Sequence, residues 1–167
     1  MMRAGVSLAE LQTVPEHSLI LLVGPPGAGK STFCHQVVLN ALVMDRPVIY
    51  VATEQRPAQV LSALREQGLG QLGHGALRFV DAFSQTVGVA AQERPDTMQA
   101  NCMDLNSISI AITRLQERMG RKGILLAFDS LTSPYLLGGA EVIRFMRLFV
   151  SKFAAEGNPV VALIDEG

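Results

Sequence analysis

Gly24-Pro25-Pro26-Gly27-Ala28-Gly29-Lys30-Ser31-Thr32 meets the phosphate-loop pattern G-x-x-x-x-G-K-[ST] at every fixed position. Glycines at 24, 27 and 29 let the backbone turn tightly and bring its N–H groups against phosphate oxygens, where side chains would stand in the way. Lys30 supplies a mobile positive charge for the β- and γ-phosphates, and the Ser31 hydroxyl is placed to ligate Mg²⁺. Thr32, next along, reaches toward an α-phosphate, so all nine positions are candidate nucleotide-binding residues. The flanks suit this reading. Ser18 to Val23 is an unbroken apolar run of the kind expected for a strand buried on both faces. Phe33, Val37, Val38, Ala41 and Leu42 then recur at helical spacing, which sets the loop against a helix N-terminus whose dipole favours anions.

Working outward, Ser7-Leu8-Ala9-Glu10-Leu11 reads as a helical turn capped by Ser7 and broken by Pro15. Val48 to Ala52 is a second apolar strand, ending on Thr53-Glu54-Gln55. Pro57 opens a helix with Val60, Leu61 and Leu64 on its inner stripe, stopped by Gly68 and Gly70. A third strand covers Leu77 to Val80 and ends on Asp81. No period is visible from Ala82 to about Asn106, which is read as a long loop. Ile108, Ala111, Ile112, Leu115 and Met119 mark the next helix, stopped at Gly120. Gly123 to Phe128 is the fourth strand, and it ends in Asp129-Ser130. This is the form of a Walker B strand, whose terminal carboxylate holds Mg²⁺ directly or through water. Leu131 to Gly139 is read as a loop, followed by a long helix that turns Val142, Phe145, Met146, Phe149 and Phe153 inward. Val160 to Ile164 forms the fifth strand and reaches Asp165. Strands alternating with helices specify an α/β fold with a mainly parallel sheet covered on both faces.

With 167 residues, the chain is expected to form one domain over 1–167. Its net charge of -1 gives no general basic surface, so nucleic acid is not favoured. The one dense basic group is Arg114, Arg118, Arg121 and Lys122, in which Arg114 and Arg118 fit a solvated helix face. Hydrophobic residues make up 49% of the chain, yet no apolar run approaches the ~20 residues that span a bilayer. Neither a secretory signal nor a membrane partner is therefore expected, and a cytoplasmic location is. Cys34, Cys102, His17, His35 and His74 show no metal-ligand spacing. Cys34 is read as a helix-packing cysteine and His35 as a partly exposed histidine.

Three stretches together resemble the RecA superfamily, and within it the KaiC-like ATPases of archaea and bacteria: Gly24 to Thr32; Tyr50 to Pro57 with Gly68; and Phe79-Val80-Asp81-Ala82 with Phe128-Asp129-Ser130-Leu131-Thr132. The resemblance spans about residues 5 to 167. It implies a three-layer P-loop fold with strand order 3-2-4-5-1, ATP and Mg²⁺ as ligands, Ser31 and Asp129 at the metal, and Lys30 with Glu54 as the catalytic pair. Glu54 takes the place of the family's acidic residue that polarises the attacking water. Asp165 falls at the strand end beneath the γ-phosphate, a possible sensor position and an unusual place for a carboxylate. The family usually carries two adjacent acids where this chain has Glu54-Gln55, and continues past the fifth strand, so the sequence reads as a minimal version or a piece of such a domain.

The leading expectation is a Mg²⁺-dependent ATP-binding protein with slow hydrolysis to ADP and phosphate, coupled to a protein partner or to homo-oligomerisation. A regulatory module that binds ATP without turning it over is the second reading. A recombinase-like DNA-dependent ATPase is the third. A small-molecule kinase is the fourth, and the arginine-rich lid that such an enzyme needs is not evident in the sequence.

Overall fold

The computed structural model describes residues 17–70 and 76–165. The helical turn expected at Ser7 to Leu11, and His74, lie outside the described residues. β1 (Leu19–Gly24) leads through the glycine-rich loop into α1 (Lys30–Val43), and β2 (Val48–Ala52) into α2 (Pro57–Glu66). β3 (Leu77–Asp81), α3 (Ser84–Val87), β4 (Thr97–Gln99) and α4 (Leu105–Met119) follow, and then β5 (Leu125–Phe128) and α5 (Thr132–Gly138). α6 (Ala140–Phe145), a π-helical turn at Met146–Val150 and α7 (Ser151–Ala155) lead to β6 (Val160–Asp165).

The strands form one six-stranded sheet in the order β1-β6-β5-β2-β3-β4, with every neighbouring pair parallel. Leaving β4 aside, this is the expected order read from the opposite edge. β2 and β5 are buried along their whole length, which is why their sequences run apolar without alternation. On one face α1 and α2 pack Val38, Leu42, Val60 and Leu64 against Tyr50 and Phe79. On the other, α4 and the helix ending at α7 pack Ile108, Ile112, Val150 and Phe153 against Val51, Leu126 and Ala162. No helix among the described residues is long and apolar enough to cross a membrane.

Four expectations need correction. The segment from Ala82 to Asn106 is not a plain loop: it contains α3 and β4, and β4 extends the sheet beyond β3. Asp81 starts α3 by accepting from the Phe83 and Ser84 N–H groups at 3.1 and 2.9 Å and from the Ser84 hydroxyl at 2.7 Å. The polar stretch before β4 is a turn closed by Arg94, whose guanidinium meets both Asp96 oxygens at 2.9 Å. Three strand residues are too few for a period of two to stand out. Second, Leu131 to Gly139 is largely helical, as α5, with the Thr132 N–H donating to Ser130 Oγ at 3.0 Å. Third, the fourth strand begins at Leu125, because Asn158 Oδ1 rather than a neighbouring strand receives the Ile124 N–H, at 3.0 Å. Fourth, His35 is buried, with 3% of its surface exposed, because helix α1 packs closely on the sheet there. In the last long helix Val142 and Phe153 are buried, whereas Phe145, Met146 and Phe149 are half-buried.

A further expectation, that Ser18 to Val23 forms a strand buried on both faces, also fails: among the described residues β1 is an edge that pairs on one side only, with β6, and Leu19, Leu21 and Val23 are 55%, 43% and 51% exposed. An apolar edge with open N–H and C=O groups pairs readily with another chain. The 167-residue chain is expected to self-associate in light scattering over a concentration series, and the Leu19→Lys, Leu21→Lys variant to remain monomeric under the same conditions. A wild-type chain that stays monomeric at high concentration refutes this.

Candidate functional site

All strands run the same way, so their carboxyl ends meet on one edge of the sheet, the usual place for a ligand in an open α/β fold. The β1–α1 loop lies on that edge. Gly27 and Gly29 have φ of 82° and 84°, conformations that side chains resist, and Gly29 is the residue from which α1 begins. No side chain caps α1 and no acidic residue lies in its first turn, so its leading N–H groups remain for an anion.

A cavity of about 490 Å³ opens beside the loop, lined by Gly27, Gly29, Lys30, Ser31 and Thr32 and, from the neighbouring strand ends, by Glu54, Asp129 and Asp165. The structure thus brings together the loop and the three acids chosen from the sequence. Gly24 and Pro25 enter differently, through their carbonyl oxygens, which accept from Lys30 Nζ at 2.7 and 2.6 Å. Pro26 and Ala28 do not line the cavity. The Lys30 ammonium has a third contact, Asp165 Oδ1 at 2.9 Å. The Asp165 backbone N–H donates to Thr132 Oγ1 at 2.9 Å, which ties the end of β6 to the start of α5.

Asp129 is the buried acid of the group, 4% exposed. The Tyr50 hydroxyl and the Glu54 backbone N–H lie near its carboxylate and favour its charged form, but Oδ2 is buried with no partner. Burial, and then the nearby charges of Glu54 and Asp165, push its pKa up to about 6 against the influence of those two donors. A buried carboxylate oxygen without a donor is the arrangement a cation relieves. With the Ser31 hydroxyl on the same cavity, Asp129 fits Mg²⁺, which takes one or two carboxylates and completes its shell with phosphate oxygens and water. Among the described residues there is no cluster of three or more His, Cys, Asp or Glu that could hold a metal on protein ligands alone.

Glu54 is exposed at the end of β2, and its Oε1 accepts from Ser133 Oγ at 2.6 Å. Sequence reasoning missed Ser133 because it lies in the stretch read as a loop; a hydroxyl in the first turn after the Asp129 strand was the available signal. It also passed over Tyr50 and Thr132, one read as a strand former and the other only as part of a family motif. Cys34 is buried, and burial together with Asp129 pushes its thiol far up, which suits a packing residue and not a nucleophile.

Fold and site together define a P-loop nucleotide-binding domain of the RecA type. A family model described as "ATPase: KaiC" matches residues 7–165, and the chain belongs to that family. Among curated relatives, a UPF0273 protein of Pyrococcus furiosus is 31% identical over 131 residues, covering 74% of this chain and 50% of its own length. One from Sulfurisphaera tokodaii is 36% identical over 127 residues, covering 74% of this chain and 44% of its own length. The chain therefore spans about half the length of the curated relatives it matches. The fold is also that of a KaiC-like protein from Pyrococcus horikoshii, with a TM-score of 0.64, 20% identity, and coverage of 91% of this chain and 64% of that one.

Proposed function

We propose that residues 1–167 act as one domain that binds Mg-ATP in the loop cavity and hydrolyses it slowly to ADP and phosphate, coupling nucleotide state to partner binding or self-assembly. The observation that carries this reading is the buried, unpaired Oδ2 of Asp129, a residue that lines the same cavity as the phosphate loop. The loop and first-turn N–H groups receive the phosphate oxygens. Lys30 exchanges its Asp165 contact for the β- and γ-phosphates; the pair it leaves is partly exposed, and such pairs are worth only ~0–1 kcal/mol. Ser31 and Asp129 would hold a Mg²⁺ ion, which when bound would neutralise the charge that develops on the phosphate oxygens. Glu54 orients the water that attacks the γ-phosphorus, its own rotation fixed by Ser133.

Lys30→Ala removes a charge-assisted contact worth ~1.5–3 kcal/mol, so ATP affinity measured by calorimetry is expected to fall by one to two orders of magnitude. Unchanged affinity in a folded Lys30→Ala protein refutes the loop assignment. Phosphate release, followed with ATP and GTP and with and without DNA, separates the remaining readings. The non-hydrolysing module is the second of them, favoured by the single acid at Glu54-Gln55. A DNA-dependent activity has less support, because Arg121 of the basic cluster is engaged with the Asp45 carbonyl at 2.6 Å and its carboxylate at 3.4 Å.

A further inference from the structure

On the α1 face of the sheet, four side chains form an unbranched polar chain that ends at Asp129. The Gln36 amide nitrogen donates to Gln67 Oε1 at 3.2 Å, which turns the Gln67 nitrogen toward His35 Nδ1 at 3.1 Å. An amide nitrogen only donates, so Nδ1 accepts and the ring hydrogen sits on Nε2. Burial holds the imidazole below its ordinary range, consistent with a neutral ring. Nε2 lies 3.2 Å from the Tyr50 hydroxyl and donates to it, which leaves the hydroxyl's own hydrogen for a further acceptor. The acceptor within reach is the Asp129 carboxylate, which interacts with this hydroxyl. The strand register supplies the geometry: Tyr50 pairs with Ala127, and Asp129, two residues further along, points to the same face, within diagonal reach of a long side chain. His35 and Tyr50 are 3% and 0% exposed, so water does not compete for these bonds.

We propose that His35 and Tyr50 are positioning residues for the cation site: the one-way chain of hydrogen bonds commits the Tyr50 hydrogen to Asp129, fixes the rotation of that carboxylate, and leaves Oδ2 presented to a divalent cation. This rests on the reading of Asp129 as the cation-holding residue. Hydrogen-bond partners behind a metal-ligating group commonly change metal affinity by about 10- to 100-fold when lost. Tyr50 also packs on Phe79, with ring centroids 5.9 Å apart. A side chain that served packing alone would alter stability without altering the cation dependence of nucleotide binding.

The test compares Tyr50→Phe, His35→Leu and His35→Gln with wild type, since glutamine restores a donor toward Tyr50. ATP affinity is measured with and without Mg²⁺, Mn²⁺ binding to the ATP complex is followed by electron paramagnetic resonance, and the wild-type His35 tautomer is read by ¹⁵N NMR. Expected are an Nε2–H tautomer, divalent-cation affinity weakened about 10- to 100-fold in Tyr50→Phe and His35→Leu with metal-free ATP affinity unchanged, and recovery toward wild type in His35→Gln. Unchanged cation affinity in folded Tyr50→Phe, or an Nδ1–H tautomer in wild type, overturns the inference alone. Wild-type ATP binding that is indifferent to divalent cations overturns the reading of Asp129 and this inference with it.

Discussion

Replacing Glu54 by glutamine is expected to leave Mg-ATP affinity nearly unchanged while lowering the rate of phosphate release by about 10²- to 10⁴-fold, the usual range for losing a general base. The two side chains have the same shape, and the amide nitrogen cannot accept the proton of the attacking water. The Ser133 hydroxyl, now 2.6 Å from Oε1, still has an amide oxygen to which it can donate, so the substitution changes charge and basicity more than geometry. Single-turnover phosphate release reads the effect directly. Equal rates in wild type and Glu54→Gln would remove Glu54 from the chemistry and favour the binding module that does not turn over.

Asp129→Asn is expected to do two opposite things: abolish most of the Mg²⁺ dependence of nucleotide binding, and make the metal-free protein more stable at neutral pH. Asp129 titrates near pH 6 in the folded chain against an ordinary value of 3.8, chiefly because it is buried. A raised folded-state value means that the folded chain holds the proton more tightly than the unfolded one. The favourable contribution is therefore fully present below about pH 4 and is lost as the pH rises through about 6. At pH 7 and above the ionised carboxylate costs on the order of 3 kcal/mol. Thermal melts without metal should show wild type losing stability relative to Asp129→Asn between about pH 4 and 7, with the gap constant above that window. The difference between the two proteins is the informative quantity, because buried His35, with its lowered value, destabilises both as the pH falls. A gap that does not vary with pH would show that Asp129 is not the strained group.

The loop, the five main strands and the residues at their ends were legible because each rests on contiguous sequence: a fixed glycine spacing, apolar runs, an acid after the run; the order of those strands in the sheet came only from the family resemblance. β4 and α5 were not, because what holds them is not contiguous. The Phe79 N–H donates to the Asp96 carbonyl and the Ala100 N–H to the Asp81 carbonyl, which fastens β4 to β3. The start of α5 is held by the Leu131 N–H, which donates to the Leu163 carbonyl, and by Thr132 Oγ1, which accepts from the Asp165 N–H. The same division runs through the candidate site. Glu54 and Asp129 stand where strand-end acids should, but Ser133 reaches Glu54 across 79 positions of sequence. His35 reads as partly exposed from sequence alone. Its burial comes from the packing of α1 on the sheet, where it meets Tyr50 of β2, a residue whose hydroxyl has meaning only once β2 lies beside β5.

The Lys30–Asp165 contact changes what an affinity for this loop would measure. In the proposed reading, a phosphate does not arrive at a bare cation; it replaces an anion already there, and the released carboxylate must find water. The measured constant is then a selectivity coefficient, as in ion exchange, scaled by the fraction of molecules in which the ammonium is momentarily unclaimed. Because one negative partner leaves as another enters, the affinity should respond less to ionic strength than the charge of the nucleotide alone would suggest.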